Sequence, residues 1–182
     1  YLYNGLLKKN QTAHFAVLDI PVGERDLQQC ADAVMRLRAE YLFEQRRYTE
    51  ISFIDNNRNE YRWTGKEDRV AFEKYLMHVF SWCGTASLEK QLKDVRSIND
   101  IKAGNVFIRG GFPGHAMIVT DIAINDAGKK IFLLAQSYMP AQDIHIVKNP
   151  LDEKLSPWYE TGSAEIITPE WVFQANQLKQ WE

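Results

Sequence analysis

His115 is the residue whose neighbours in the sequence most favour chemistry. It follows the glycine-rich segment 109–114, RGGFPG, and it precedes the apolar run 116–119, AMIV. This order predicts a turn and then a buried strand, with the histidine held rigidly at the start of the strand and facing a cleft. A histidine in such a position is a common general base, because loops on a rigid scaffold carry much of protein chemistry. A histidine that only caps the strand through a hydrogen bond fits the same pattern, so other residues must decide between the two.

The two cysteines, Cys30 and Cys83, are the candidate nucleophiles, since a histidine base can activate a thiol. Cys30 lies on the apolar stripe of a predicted helix, where a cysteine often acts only as a small hydrophobic residue. Cys83 lies beside Gly84, just before another predicted helix, where free N–H groups favour a thiolate. A disulfide between the two cysteines is a further alternative, because sequence does not show whether the sulfur atoms meet.

Gln136 is the candidate for the group that orients the base. It ends the run 131–136, IFLLAQ, which is predicted to pair with the His115 strand across a hairpin turn at 125–128. Its amide oxygen could accept the imidazole N–H and so fix the tautomer of the ring. An amide at a strand end that bonds only to backbone is the other interpretation of this residue.

The elements that must position these residues follow from the periodicity of the apolar residues. Helical spacing predicts a long helix over 25–45, with Asp26 as its N-cap, a second over 67–80 and a shorter third ending at 94. Thr168 followed by Pro169 predicts a last helix over 169–180. Runs bounded by turn residues predict a hairpin within 50–63 and strands over 14–20, 104–109, 115–124, 130–136 and 143–147. We therefore expect one α+β domain over 1–182, with N-terminal helices packed on a curled antiparallel sheet.

Aromatic side chains suited to lining a cleft occur in the long irregular loop 149–163. This loop contains Trp158 and Tyr159, and loops of such length in a compact domain are often functional. We expect these two rings, with Tyr138 and with Gly114 of the glycine-rich segment, to contact a substrate. Packing of the loop onto the domain is the alternative.

Composition excludes several classes of function. The chain has 182 residues, of which 45% are apolar and 12% aromatic, so it can bury a sizeable core. Its formal charge of −2 gives no electrostatic footprint for nucleic acid. No uninterrupted apolar window is long enough to span a membrane. Zinc-ligand pairs, a dinucleotide fingerprint and a phosphate loop are missing from the sequence, so we expect neither a metal nor a cofactor.

Three segments carry a resemblance to the barrel half of papain-like proteins, in particular to the NlpC/P60 and CHAP cell-wall hydrolases. They are GNVFIRGG (104–111), PGHAMIV (113–119) and FLLAQS (132–137). The resemblance implies a papain-like fold with His115 as the base and Gln136 as the orienting group, whereas Asn105 stands where these families usually have aspartate. Cys30 fits the family nucleophile, which opens a long helix packed on the barrel. Cys83 is the alternative nucleophile, and its distance to His115 along the chain is short for this fold.

Over most of its length the chain is identified as a member of the bacterial family numbered forty-eight forty-six among domains of unknown function. The segments DLQQCADAVMRLRAEYL (26–42), PGHAMIVTD (113–121) and LLAQSYMPAQ (133–142) carry this second resemblance, which implies no reaction. The resemblance to cell-wall hydrolases implies a location outside the cytoplasm, in the periplasm or anchored to the envelope. Because the chain starts at Tyr1 without an apolar leader, we expect a trimmed form whose targeting segment is not in this sequence.

The sequence thus predicts two functions from different classes. The first is a papain-like thiol hydrolase, an amidase or peptidase that acts on amide bonds such as those of cell-wall peptides. The second is a non-catalytic relative that binds a peptide or glycan in an aromatic-lined cleft. A plain structural domain of a larger envelope protein is a third interpretation. The expected partner is a peptide or cell-wall fragment, with no nucleic acid and no membrane span in this chain.

Overall fold

Three helices pack with one large antiparallel sheet, which confirms the predicted α+β class. The architecture is that of a computed structural model that describes residues 1–182. Helix α1 spans Cys30–Glu44, α2 spans Arg69–Trp82 and α3 spans Thr85–Gln91. The strands in chain order are β1 (His14–Val17), β2 (Ser52–Ile54), β3 (Glu60–Arg62), β4 (Lys93–Asp94), β5 (Val106–Arg109), β6 (His115–Ile124), β7 (Lys130–Gln136), β8 (His145–Val147), β9 (Tyr159–Glu160), β10 (Glu165–Ile167), β11 (Val172–Gln174) and β12 (Leu178–Gln180).

The main sheet brings the candidate residues to one end of adjacent strands. Its order is β1-β8-β7-β6-β5-β12-β4, with β9 paired to β7, and every pairing is antiparallel. His115 is the first residue of β6 and pairs with Arg109, while Gln136 is the last residue of β7 and pairs with His145. An antiparallel hairpin sets the start of one strand beside the end of the next, so His115 and Gln136 lie at the same end of the sheet. The strands β2 and β3 form the predicted hairpin.

Helix α1 starts later than the sequence predicts, and this moves Cys30 to its first position. The residue before it, Gln29, has an extended backbone and donates its N–H to the Asp32 carboxylate at 3.0 Å. Asp26, expected as the N-cap, instead accepts a hydrogen bond from the backbone N–H of Ala141 at 2.6 Å. The predicted N-cap was therefore wrong, because the Asp26 carboxylate ties the segment before the helix to a distant loop.

The helix predicted over 169–180 is also wrong. That stretch contains β11, a single 3-10 turn over Ala175–Gln177 and β12. The Thr168 hydroxyl does accept the N–H of Trp171 at 3.1 Å, but this contact closes the turn between β10 and β11 and starts no helix. Pairing of β12 with both β5 and β4 fixes the last strand as extended, so tertiary contacts outweigh the local preference.

Two apolar clusters cover the two faces of the sheet. The larger one, of 24 buried residues, joins the three helices to one face and includes Val34 of α1 and Ala116 of β6. The smaller one, of 11 buried residues, lies on the opposite face and includes Met117 and Phe173. Because side chains alternate along a strand, His115 is on the Met117 face, where its ring stacks on Phe173. None of the helices has the length and apolar character that crossing a membrane requires.

Candidate functional site

A cleft of about 530 Å³ opens at the end of the sheet where β6 begins. Most of the expected site residues meet there. Among its 19 lining residues are both cysteines, His115, Gly114 and Tyr138. A side chain on Gly114 would place its Cβ 2.4 Å from the Gly111 carbonyl oxygen, so glycine is required where the loop turns into β6.

The imidazole of His115 is bonded to the amide of Gln136. Its Nε2 lies 2.7 Å from Gln136 Oε1, and both residues are buried. The rings of Tyr138 and Trp171 pack against the imidazole, with centroids 4.8 and 5.2 Å away. The contact expected from the sequence is therefore present in the structure, and the packed aromatic rings hold the imidazole in one orientation.

The amide of Gln136 is itself held from its other end. Its Nε2 donates to Glu170 Oε2 at 2.8 Å and lies 3.3 Å from His145 Nε2. Since His145 Nδ1 lies 2.9 Å from the carbonyl oxygen of Asp143, that nitrogen carries the proton and His145 Nε2 is an acceptor. Glu170 is in turn paired with Lys8 at 2.5 Å. Both hydrogens of the Gln136 amide therefore have acceptors, and we call Gln136, Glu170 and His145 the amide clamp.

The amide clamp sets the tautomer of His115. Because Gln136 Nε2 faces two acceptors, its Oε1 must be the atom that faces the imidazole. An amide oxygen only accepts, so His115 Nε2 carries the proton and Nδ1 keeps its lone pair. A base needs this form of the ring, because the free nitrogen can take a proton while the other nitrogen stays anchored.

The thiol of Cys30 lies at the N-terminus of α1, next to β6. The backbone amides of Ala31, Ala116 and Cys30 itself act to lower its pKa, which places the sulfur among N–H donors. No hydrogen bond joins the thiol to the imidazole, although both groups line the same cleft. Catalytic hydrogen bonds often close only when substrate is bound, so the missing bond does not decide whether the two groups react together.

Burial shifts both candidate reacting groups toward their neutral forms. Desolvation raises the pKa of the Cys30 thiol from 9.0 to about 11, and the neighbouring Asp32 adds to the rise. Desolvation also lowers the pKa of His115 from 6.5 to about 4, although the hydrogen bond to Gln136 opposes it. Near neutral pH the resting site therefore contains a thiol and a neutral imidazole rather than an ion pair.

The lowered pKa of His115 predicts a loss of stability in acid. The folded state favours the neutral ring, so this stabilisation is complete above pH 6.5 and is lost as the pH falls toward 4. Between pH 7 and 4.5 the loss due to His115 is roughly 2–3 kcal/mol. Urea unfolding at both pH values checks this: the His115→Gln variant should lose that much less stability than the parent. Equal losses in the two proteins would contradict the assignment.

Cys83 lines the same cleft but has different surroundings. It caps the C-terminal end of α2 and packs in the larger apolar cluster. Burial raises the pKa of its thiol to about 12, the charges of Asp55 and Asp32 raise it further, and no backbone amide opposes the rise. Both cysteines are free thiols.

Trp158 and Tyr159 do not line this cleft, so the expected contribution of the loop 149–163 needs correction. Tyr159 pairs with Phe132 as part of β9, stacks on its ring at 5.8 Å and belongs to the smaller apolar cluster. The carbonyl oxygen of Trp158 accepts a hydrogen bond from Asn149, which closes the loop on itself. Aromatic lining comes instead from Phe80, Phe112, Tyr138 and Trp171.

Sequence reasoning missed Glu170, His145 and Trp171. Glu170 and Trp171 were assigned to a helix that does not exist, and the position of His145 on β8 gave no sign of its proximity to Gln136. The one local signal was Thr168–Pro169, which marks a turn as well as a helix start. No group of three or more His, Cys, Asp or Glu side chains is arranged to hold a metal ion.

Comparison with known proteins finds one family. The family model described as "Domain of unknown function (4846)" matches residues 1–65 and 54–180, which together cover nearly the whole chain. No curated protein and no solved structure matches the chain.

Proposed function

The chain belongs to the family described as Domain of unknown function (4846), and within it we propose that this protein is a thiol hydrolase that cleaves amide bonds. In this proposal Cys30 is the nucleophile, His115 the general base and Gln136 the group that orients the base. The observation that carries it is the amide clamp, which leaves His115 Nδ1 free beside a cleft that also contains a helix-terminal thiol.

The proposed reaction starts from a neutral thiol and a neutral imidazole. As Cys30 Sγ attacks the amide carbon, its proton moves to His115 Nδ1 and the carbonyl becomes an oxyanion. Collapse of this intermediate breaks the C–N bond, and the leaving amine takes the proton from His115. Water, deprotonated by His115 in turn, then hydrolyses the thioester and restores the thiol.

The start of α1 supplies donors for the oxyanion. The backbone N–H groups of Cys30 and Ala31 have no backbone partner, as is usual for the first turn of a helix. Such preorganised donors, together with the helix dipole, favour negative charge developing on the carbonyl oxygen. Cys83 lies between the C-terminal end of α2 and the start of α3, as the sequence predicts, but unlike Cys30 it has no backbone N–H that lowers the pKa of its thiol.

The order of elements agrees with a papain-like arrangement. The proposed nucleophile opens the long helix α1, the base starts β6 and the orienting residue ends β7. By that analogy we extend the proposal to the papain-like class, with cell-wall peptides as substrates and a location outside the cytoplasm. These extensions depend on analogy, whereas the roles of Cys30, His115 and Gln136 depend on geometry.

Trapping of an acyl-enzyme tests the proposal directly. A p-nitrophenyl ester should release one equivalent of nitrophenol in a burst, and mass spectrometry of the digested protein should find the acyl group on Cys30. His115→Ala should remove the burst, because the proton of the thiol then has no acceptor. An adduct on Cys83, or no adduct at all in a folded protein, would overturn the assignment.

Alkylation of Cys30 should depend on pH as expected for a neutral resting thiol. Since burial raises the pKa of this thiol to about 11, its thiolate fraction rises about tenfold per pH unit below that value. We expect the rate of reaction with iodoacetamide to rise continuously between pH 6 and pH 9, measured by mass-spectrometric peptide mapping. The urea-unfolded protein, with an ordinary thiol, is the control. A plateau near neutral pH in the folded protein would indicate a preformed ion pair instead.

A non-catalytic binding module is the second candidate. The observation that favours it is the missing hydrogen bond between the Cys30 thiol and His115, combined with two raised thiol pKa values. In that case peptides would bind in the cleft without turnover, and no acyl group would form on either cysteine. Peptide binding to the Cys30→Ala variant, measured beside turnover by the parent protein, separates the two functions.

A further inference from the structure

The mouth of the cleft exposes large apolar side chains. Phe112 is 99% exposed and Met139 is 60% exposed, and they line the cleft from two different loops, β5–β6 and β7–β8. A single exposed apolar residue is common on protein surfaces, but two large ones at the mouth of one cleft indicate a binding surface.

The charges of the cleft act against acidic ligands. None of its 19 lining residues is Lys or Arg, while Asp26 and Asp32 both contribute carboxyl groups. Asp26 is occupied by the N–H of Ala141 and by the amide of Gln29. A ligand carboxylate would therefore lose its water without gaining a cationic partner, which is costly.

The floor of the cleft contains a carboxyl group that is only partly hydrogen-bonded. Asp32 is 6% exposed, and its Oδ1 has no hydrogen-bond partner, although its Oδ2 accepts the N–H of Gln29. Burial raises the pKa of this carboxyl well above its ordinary value and so favours the protonated form, and Oδ1 is the oxygen left to carry the proton. A buried polar group of this kind is normally satisfied, so a carbonyl oxygen of a ligand that accepted this proton would relieve a real cost. Peptides carry carbonyl groups at regular intervals beside their side chains.

We propose that the cleft selects a peptide amide with a bulky apolar side chain, and no carboxylate, next to the bond at Cys30. The apolar side chain would lie against Phe112 and Met139, and a backbone carbonyl oxygen would accept a hydrogen bond from Asp32. The cleavage part of this inference rests on the proposed function, whereas the binding preference does not. The inference also narrows that function, because acidic peptides become poor substrates.

Binding to a protein that cannot react tests the preference alone. Cys30→Ala protein would be titrated with fluorescent peptides that differ only in Leu, Ser or Glu at one position, and fluorescence anisotropy would report binding. We expect the Leu peptide to bind at least about tenfold more tightly than the Glu peptide, as a well-filled apolar contact gives about tenfold or more. Equal affinities for Leu and Glu, or a preference for Glu, would overturn the proposal.

Variants at the mouth identify the surface that gives the preference. Phe112→Ser with Met139→Ser should reduce the Leu preference to about threefold or less, because a large part of the apolar contact is gone. Both residues are exposed, so the fold should not depend on them. Leu151→Ser is the matched control, since Leu151 is 69% exposed and lies outside the cleft. A Leu preference that survives the double change would place the apolar contact elsewhere and refute the assignment.

The peptide-binding experiment and the acyl-enzyme experiment can fail independently of each other. If Cys30→Ala protein shows the Leu preference while the parent protein forms no acyl-enzyme, the binding inference stands and the hydrolase proposal fails. If the parent forms an acyl-enzyme on Cys30 but Leu, Ser and Glu peptides bind alike, the hydrolase stands and the substrate class is wrong.

Discussion

Replacement of Cys30 by alanine is expected to lower the rate of amide hydrolysis by at least about a thousandfold, because loss of a nucleophile removes the covalent route. The residual rate would come from the oxyanion donors of α1 and from substrate binding. The measurement is kcat/KM on a fluorogenic peptide amide with an apolar side chain. Binding of the same peptide should change little, because the alanine still fits the start of the helix.

Cys83→Ala is the matched control for that experiment. The two cysteines are buried to almost the same extent, 8% and 6% exposed, and both line the cleft, so either substitution removes one buried sulfur atom. We expect the Cys83→Ala protein to keep kcat/KM within about threefold, with a small loss of stability from the cavity. If Cys83→Ala lost activity and Cys30→Ala kept it, Cys83 would be the nucleophile. If both variants kept full activity, neither thiol would take part in the reaction.

The strands around the site could be predicted from the sequence almost residue by residue. The bounds of β6 and β7 are those expected, because apolar runs flanked by turn residues are local signals. The turn sets the register next to it, but a β-bulge between Val119 and Asp121 shifts the register by one residue and so puts Gln136 on the same face as His115. The proximity of the two residues was predictable because one hairpin contains both, whereas the bulge that aligns their side chains has no local signal in the sequence.

The helix start and the rest of the amide clamp depend on contacts between distant parts of the chain. Asp26 is a good N-cap by its residue type, but its carboxylate is taken by Ala141, 115 residues further along. Glu170 reaches Gln136 from the turn between β10 and β11, 34 residues away, and His145 reaches it from β8, 9 residues away. No local sequence pattern predicts these long-range contacts, since they form only when the sheet has assembled.

The same limit explains the correction at Trp158 and Tyr159. An aromatic-rich loop suits a cleft and a core equally well by composition. Pairing of β9 with β7 decides the matter, because it turns Tyr159 onto Phe132 and its hydroxyl to the carbonyl of Lys148. Exposed rings near a predicted site therefore indicate a binding surface only after the neighbouring strand is known.

Apart from the three proposed catalytic residues, Cys30, His115 and Gln136, Glu170 is the residue whose loss should lower activity the most. We expect Glu170→Ala to lower kcat about 10–100-fold with little change in KM, because Gln136 then loses one of the two acceptors that fix its amide. The amide can rotate and offer its NH₂ group to the imidazole, which stabilises the wrong tautomer of His115. Glu170 is a positioning residue in this account, since it acts on the base only through Gln136.

A tautomer measurement separates this role from a merely structural one. Long-range ¹H–¹⁵N correlations of the His115 ring should report a proton on Nε2 in the parent protein and a mixture of tautomers in Glu170→Ala. Glu170→Gln keeps an acceptor of similar size and should retain most of the activity, whereas Glu165→Ala removes an exposed hydrogen bond to Gln174 on the same hairpin and should change nothing. If Glu170→Ala kept both the tautomer and the rate, Gln136 would be held by His145 alone. In that case His145 alone would fix the orientation of the Gln136 amide. The ion pair between Glu170 and Lys8 would then only hold the N-terminal segment against the sheet.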